Sequence, residues 1–535
     1  MNVKPDGFFG ATMAIEGIED STVLMHGPDG CRKNMIALTQ KVFPRKDPSV
    51  SFMTPYYRGS SRIPCTDLEP CDYIYGAYDR VREALEYIRE REPAFVAVVC
   101  SPGASLIGDD CQKAIDEAGL SDRAIVIDAE MSSRPICNGI DGAMTRVMEK
   151  LDPEKAPIEE GTAVLLGNHV LNKDWEAVNE EMCHILGLMG IRVICCVGAG
   201  SSIQEMRESV RAEYAVVLTP EYATELSRFY AGYGAKVVMP DYSPVGFQAT
   251  EDWINKVAEA SGRDPAPALA YVDKPKRRAY RGMATARFSV DTLEFAVDAE
   301  PSIAYPLTCF LYKGLQMYPV CVRFNGMSHE ASENLMREFL EERGMADALG
   351  ADMPDHVDVI CTDGNTANLY QRSNRCLRGL DLRFPSMMNS LFLQQPIFGA
   401  QGALYILERV VNRFRGRDSS QRSCTSSILS SSPRYISFIR SSVSGSMSHI
   451  PRSTASNRRS IMSIMAWGFS SSIHSRVSSS NRYASVSFSY IQSSTMSDVA
   501  SHPKVYSVRL ATSATPRYPW RFRPSMNFGL RILLR

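Results

Sequence analysis

From residue 1 to about 410 the chain alternates between two patterns of apolar positions. Short runs rich in β-branched residues are each followed by longer stretches whose apolar residues recur at helical spacing. The runs at 22–25, 50–53, 95–100, 124–128, 163–166, 192–197, 214–218, 236–239, 320–324, 357–361 and 380–384 predict strands. Several are continuously apolar, which is what a parallel strand covered on both faces requires. Helices are predicted over 74–91, 174–188, 221–233, 329–343 and 401–412, and over an opening stretch, 7–20, that runs into the first strand. In the 74–91 run, Ile74, Ala77, Tyr78, Val81, Leu85 and Ile88 fall on one face. Strand followed by helix, many times over, predicts an α/β protein with parallel sheets flanked by helices. Three units of ordinary size fit the length, with boundaries in the Pro- and charge-rich stretches 152–157 and 264–278. Ligands in such folds sit at the carboxyl ends of the strands. The stretches 27–31, 100–108 and 198–200 fall at those ends.

The pattern stops near residue 413. Residues 411–535 hold 35 Ser, 17 Arg and one Lys, against Asp418, Asp498 and no Glu, a net charge of +16. The other 410 residues carry −17, so the near-neutral whole conceals two unlike parts. The tail, residues 414–535, can be read as a basic arm for nucleic acid, as a disordered segment, or as translation outside the natural frame. Its Arg residues are scattered rather than clustered, and Lys and Glu are almost missing. This favours the last reading, and nucleic acid is not expected as a partner. The start of the chain lacks a signal-peptide pattern, and no apolar run approaches the ~18 residues of a membrane span. The expectation is a cytoplasmic protein without a membrane partner. Its 14 cysteines are then expected to be thiols or metal ligands rather than a disulfide framework.

The stretch that carries chemistry is Gly27-Pro-Asp-Gly-Cys31, reached from an apolar run and left by a helical one. A thiol at a helix start meets unpartnered N–H groups and a partial positive charge, which favour its thiolate. Thiolates are the ligands of soft metals and iron–sulfur clusters. Packing of a half-buried cysteine in a turn is the plainer alternative. Further thiols follow in or beside loops after strands: Cys65 and Cys71 in Pro64-Cys-Thr-Asp-Leu-Glu-Pro-Cys71-Asp-Tyr-Ile-Tyr-Gly76, and Cys100 at the head of a stretch ending Leu106-Ile-Gly-Asp-Asp110.

The ordered set Gly-Pro-x-Gly-Cys, Thr-Asp-Leu with Asp-Tyr-Ile-Tyr-Gly, and Leu-Ile-Gly-Asp-Asp resembles the nitrogenase component 1 superfamily. The resemblance extends through Gly167-Asn-His169 with Trp175, through Pro244-Val-Gly-Phe-Gln-Ala-Thr250, and through Pro396-Ile-Phe-Gly-Ala-Gln-Gly402 to Glu408. It implies three Rossmann-like α/β domains, taken as residues 1–155, 156–270 and 271–413. It also implies an iron–sulfur cluster, expected as [4Fe-4S], at the interface with a homologous subunit. The partner complex is a hetero- or homodimer, or a tetramer. The resemblance places one cluster ligand at Cys31. A second family position falls at Pro102, two residues beyond Cys100, and a third near 8–10, where this chain has no cysteine. Cys65, Cys100 and Cys71 are the thiols that could complete the set.

No phosphate loop of the Gly-x4-Gly-Lys-Ser/Thr kind occurs, so this chain has no ATP site of that kind. The resemblance supplies ATP use through a separate iron–sulfur reductase that delivers electrons. The implied activity is therefore oxygen-sensitive reduction of an unidentified small-molecule or metal-cofactor substrate. Cys195, Cys196, His26, His329 and His356 read as core or structural residues, and catalytic residues are not legible. Two alternatives stand beside this one. The chain could be a non-catalytic scaffold for metal-cofactor assembly. It could also bind NAD(P) at Gly198-Ala-Gly200-Ser-Ser-Ile203, with Glu221 as the ribose-binding carboxylate.

Overall fold

The computed structural model describes residues 5–33, 35, 63–128, 134–286, 292–386 and 391–412. The chain divides into two units, residues 1–429 and 430–535, and the second lies wholly outside the described residues. So does the strand expected at 50–53.

Within the first unit the described strands form three sheets, all of them parallel. The first sheet holds β1 (Ser21–His26), β2 (Phe95–Cys100) and β3 (Ala124–Ile127) in that order. Residues 64–68 run alongside the free edge of β1, exchanging backbone bonds with Met25 and Gly27. The second sheet has the order β5-β4-β6-β7, from β4 (Glu159–Leu166), β5 (Arg192–Cys196), β6 (Ala212–Val217) and β7 (Lys236–Val238). The third has the order β11-β10-β8-β9, from β8 (Glu294–Ala299), β9 (Tyr318–Phe324), β10 (Val357–Asp363) and β11 (Cys376–Arg383). In the second and third sheets the first strand is central, and successive strands go to opposite sides of it. The loops at its carboxyl end therefore part and leave a crevice.

Ten predicted strands are present, but β8 went unread. Its sequence, Glu-Phe-Ala-Val-Asp-Ala, is broken by two acids. Both acids sit near the ends of the strand: Glu294 opens it, and Asp298 accepts from the Asn325 amide. The core positions Phe295, Ala296 and Val297 are fully buried.

The helix expected over 74–91 is two helices, Asp72–Tyr75 and Tyr78–Arg89. Gly76 between them has φ +88°, and the next amide, Ala77, is held by Asp109. Helices 136–151 and 301–315 are also additions to the sequence reading. The first carries Gly139, where a Cβ would lie 2.0 Å from the Gly7 carbonyl oxygen. That close crossing with Gly7–Glu16 requires glycine, a weak helix former. The second contains Pro306 in its interior, a residue that argues against a helix on local grounds. Both are held by burial of an apolar face.

Candidate functional site

The turn after β1 is built around a buried histidine. His26, the last residue of β1, is 1% exposed. Its Nε2 lies 3.2 Å from Asp109 Oδ2 and its Nδ1 lies 3.1 Å from Thr66 Oγ1. Burial pushes the imidazole below its ordinary pKa, although Asp109 acts in the other direction. It is therefore neutral, and the contact is a hydrogen bond rather than an ion pair. A carboxylate only accepts, so Nε2–H donates to Asp109 and Nδ1 accepts the Thr66 hydroxyl. The Gly27 amide in turn donates to Thr66 Oγ1 at 3.0 Å. Asp109 also accepts from the Ala77 amide at 3.0 Å. Asp110, its neighbour, caps the next helix by accepting from the Lys113 amide at 2.9 Å. Asp72 accepts from the Glu69 amide and from Arg80, whose guanidinium also holds the Thr66 and Asp67 carbonyls. The motifs that the sequence presents in order are thus one brace that fixes the loops after β1 and β2.

The brace presents two thiols. Cys31 lies in the first turn of a helix that includes residues 29–33, with Asp29 paired to Arg32 and Lys33. Cys65 is buried beside the end of β1. Its thiol donates to the Gly27 carbonyl at 3.1 Å and accepts the Asp67 amide at 3.4 Å. Both belong to the same apolar cluster beneath the loop. Burial first, and then the charge that Cys31, Asp72 and Cys65 would carry, raise the Tyr73 phenol above its ordinary pKa, which puts the ring in the neighbourhood of both thiols. Glycines make room here. A Cβ at Gly27 would lie 2.6 Å from Ser101 Oγ, and one at Gly103 would lie 3.1 Å from the Tyr73 ring. The expected thiolate at Cys31 is not what the surroundings favour. Burial first, and the Asp6 carboxylate second, raise this thiol above its ordinary pKa. Deprotonation would have to come from a bound metal, which strips a thiol outright.

The other two predicted cysteines lie elsewhere. Cys71 is exposed, just before the helix Asp72–Tyr75. Cys100 is turned to the opposite face of the first sheet, 3% exposed in a cluster with Leu24, Val81 and Val98. Its sulfur lies 3.9 Å from that of Cys111. Among the described residues no group of three or more His, Cys, Asp or Glu side chains could hold a metal ion. On the same loops, Tyr73, Ile74, Tyr75 and Leu106 are 42%, 75%, 86% and 88% exposed. This apolar lip is the feature that sequence reading missed. The 74–91 periodicity placed Ile74 on a buried helical face, and the break at Gly76 turns it out.

A second constellation lies where the carboxyl ends of β4, β6, β8, β9 and β11 meet. Glu300 accepts from the Tyr222 hydroxyl at 2.7 Å and from Arg383. Arg383 also donates to Asn325 at 2.6 Å. Glu221 accepts the Ser302 amide at 2.8 Å and its hydroxyl at 2.7 Å. Burial pushes the Glu221 carboxyl up to about 7. The His169 ring packs on Tyr222 at 4.2 Å, and burial lowers its pKa to about 3. Cys137 accepts the Met327 amide at 3.0 Å and is pushed up to about 12 by burial and the nearby Glu300 carboxylate. Beside this junction a cavity of about 330 Å³ is lined by Lys173, Trp175, Asp381, Arg383 and Phe392 among others.

Glu221 is therefore not presented to a ribose. The 198–200 turn is likewise committed within the protein. The Gly200 amide donates to the Gly17 carbonyl at 2.9 Å, and a Cβ at Gly198 would lie 2.7 Å from the Met144 sulfur. Cys195 is buried, and His329 precedes the helix Glu330–Glu341 with its ring on Ser332.

Comparison with known proteins agrees with this architecture. The chain is 22% identical over 448 residues to the nitrogenase molybdenum-iron protein beta chain of Bradyrhizobium diazoefficiens, covering 76% of this chain and 82% of that one. It is 25% identical over 276 residues to one of the subunits of the light-independent protochlorophyllide reductase of Rhodopseudomonas palustris, covering 49% and 48%. A solved structure of nitrogenase Cp1 superposes with a TM-score of 0.62 at 15% identity, covering 78% of this chain and 96% of that one, a likeness of fold. The family model for nitrogenase component 1 type oxidoreductases matches residues 7–415, and the chain belongs to that family.

Proposed function

We propose that this chain is one subunit of a nitrogenase-like reductase of the cytoplasm. It accepts electrons from a separate ATP-hydrolysing iron–sulfur reductase and passes them to a small-molecule or metal-cofactor substrate. Each sheet with its helices would be one domain, with the boundaries expected from the sequence. Family membership supports an oxidoreductase, and the names of the relatives support work in multi-subunit complexes.

The observation that carries the reading is the pair of thiols, Cys31 and Cys65, beneath one braced loop with an exposed apolar lip. An iron–sulfur cluster needs about four ligands, so two thiols fit it only as half of a shared site. In this reading Cys31 and Cys65 are this chain's ligands, Cys71 stands at the lip, and Cys100 stays in the core. A homologous subunit seated on Tyr73, Ile74, Tyr75 and Leu106 supplies the rest and excludes water. A cluster held there supplies one-electron transfer. This chain's own residues hold the loop: His26, Thr66 and Asp109 fix Gly27, and the Gly27 carbonyl orients the Cys65 thiol.

The test is iron and acid-labile sulfide content, with low-temperature EPR after dithionite. It is run on the full chain purified without oxygen, alone and with a homologous subunit. The expected result is iron in the complex that is lost in both Cys31→Ala and Cys65→Ala. Iron retained in both variants, or none in the reconstituted wild-type complex, would overturn the proposal. Iron present without turnover, given ATP and a reductase partner, would instead favour the scaffold role.

A further inference from the structure

Among the described residues two pairs of thiols lie in sulfur–sulfur contact, and they differ in burial. Cys100 and Cys111 are 3.9 Å apart and only 3% and 5% exposed. Cys183 and Cys196 are 3.8 Å apart and both half-buried. Cys183 lies in the helix Trp175–Leu188, whose buried stripe is formed by Val178, Met182, Ile185 and Leu186. It stands beside that stripe and is only half-buried. Cys196 ends β5, which pairs only with β4 and forms one edge of its sheet among the described strands.

We infer that Cys183 and Cys196 form a modification site, a dithiol that a peroxide closes to an intramolecular disulfide. The geometry is near that of the product. Side-chain rotation at the two residues has to bring the sulfurs from 3.8 Å to the bonding distance of about 2.05 Å. Neither residue belongs to the proposed cluster site, and each sulfur has the other as its hydrogen-bond partner. The contact with Cys196 lowers the Cys183 pKa, while the same contact, and burial after it, raise that of Cys196. Cys183 is therefore the thiol that attacks first, and Cys196 the one that resolves.

The Cys183 sulfur attacks one oxygen of hydrogen peroxide. An S–O bond forms, the O–O bond breaks, and hydroxide leaves and is protonated to water. The Cys196 sulfur then displaces the oxygen from the sulfenic acid. The S–S bond forms, and that oxygen leaves as a second water. Two thiols and one peroxide give one disulfide and two waters, and a dithiol reductant reverses the change. The buried Cys100–Cys111 pair is the built-in control, having the same separation without access.

The test uses the full chain, reduced and purified without oxygen, then treated with equimolar hydrogen peroxide. Open thiols are blocked with N-ethylmaleimide, and the protein is digested and mapped by tandem mass spectrometry. Fragment ions must separate Cys196 from its neighbour Cys195. The expected result is a Cys183–Cys196 cross-linked peptide, two hydrogens lighter than the reduced pair and lost on dithiothreitol treatment. Cys100 and Cys111 should be recovered as thiols that label only after unfolding. In Cys196→Ser, given a second equivalent of peroxide, Cys183 should pass on to the sulfinic acid instead. Separate blocking of Cys183 and Cys196 after peroxide, or a cross-link to Cys195, would overturn the inference. The wild-type map decides the matter without any variant.

Discussion

The two constellations of this chain are both built at the carboxyl ends of parallel strands, yet they are finished differently. At the junction of the second and third sheets, the acids, Arg383, Tyr222 and Ser302 answer one another at hydrogen-bond distance. At the loop after β1 the brace is satisfied too, and the Cys65 thiol with it, but four large apolar side chains are left exposed, while Cys65 is buried and Cys31 half-buried. The first region is complete within the chain, and its value is to hold sheets together. The second, in the proposed function, is a half-site that a partner completes. Substitutions should separate the two: in the junction they cost stability, and at the lip they cost assembly.

The largest effect on stability is expected from Arg383→Ala. The guanidinium is buried against Glu300 and Asn325. Removing it leaves a buried carboxylate without its cation, a change that typically costs about 3–5 kcal/mol. Urea denaturation should show the loss directly. A cost below about 1 kcal/mol would mean that the junction is open to water.

Glu221 gives the next effect and a pH signature. In the folded chain its carboxyl is raised from 4.5 to about 7, chiefly by burial. The folded state therefore holds this proton more tightly than the unfolded state does. The group costs nothing below its ordinary pKa. Stability falls as pH rises from 4.5 to about 7, by up to about 3 kcal/mol, and the loss is complete above that. His169, lowered to about 3, works at the other end: stability falls as pH drops below 6.5. Glu221→Gln keeps an acceptor for Ser302 and removes the first titration. Above about pH 6.5 the denaturation midpoint should then be nearly flat in the variant, and below it the variant should lose stability as pH falls, because the His169 slope is no longer offset. An unchanged slope would show that Glu221 is solvated.

The contrast also explains what sequence could reveal. Ten of the strands announce themselves because continuous apolar runs need only local reading. The β8 strand hides because its acids are read locally as breaks, whereas the sheet places them near its ends. The helix Ile136–Leu151 hides because Gly139 is required by a close contact with Gly7, more than a hundred residues away. At the site, the motifs offered Cys31, Cys65, Cys100 and Cys71, but how the chain arranges them was illegible. Nothing local says that Asp109 holds both His26 and Ala77. Nor could Cys100 be told from Cys65 by spacing. Alternation along β2 decides it, sending Cys100 to the face opposite the thiol pair.

Asp109→Ala tests that brace. It removes the acceptor of the His26 Nε2–H and of the Ala77 amide. Leaving buried donors unpaired costs about 1–3 kcal/mol, less than the junction change. Its effect on iron content should nonetheless exceed its effect on stability, because Thr66 and Gly27 lose their fixed positions. Iron retained at the wild-type level in a folded Asp109→Ala complex would separate the brace from the thiols it presents.

The smallest effect on stability, and the sharpest test of the comparison, belongs to Ile74→Asp. Ile74 is 75% exposed and is flanked by Tyr73 and Tyr75. An exposed substitution of this kind normally changes stability by no more than about 0.5 kcal/mol. A charge in the centre of an interface is different, because docking must strip its water without offering a partner. The isolated chain should therefore melt like the wild type. Association with the homologous subunit, read by sedimentation velocity, should weaken by at least about tenfold, equivalent to about 1.4 kcal/mol. Iron should fall in parallel with assembly, although no thiol has been touched. Unaltered association would remove the lip from the half-site and leave Cys31 and Cys65 as two thiols packed beneath a loop.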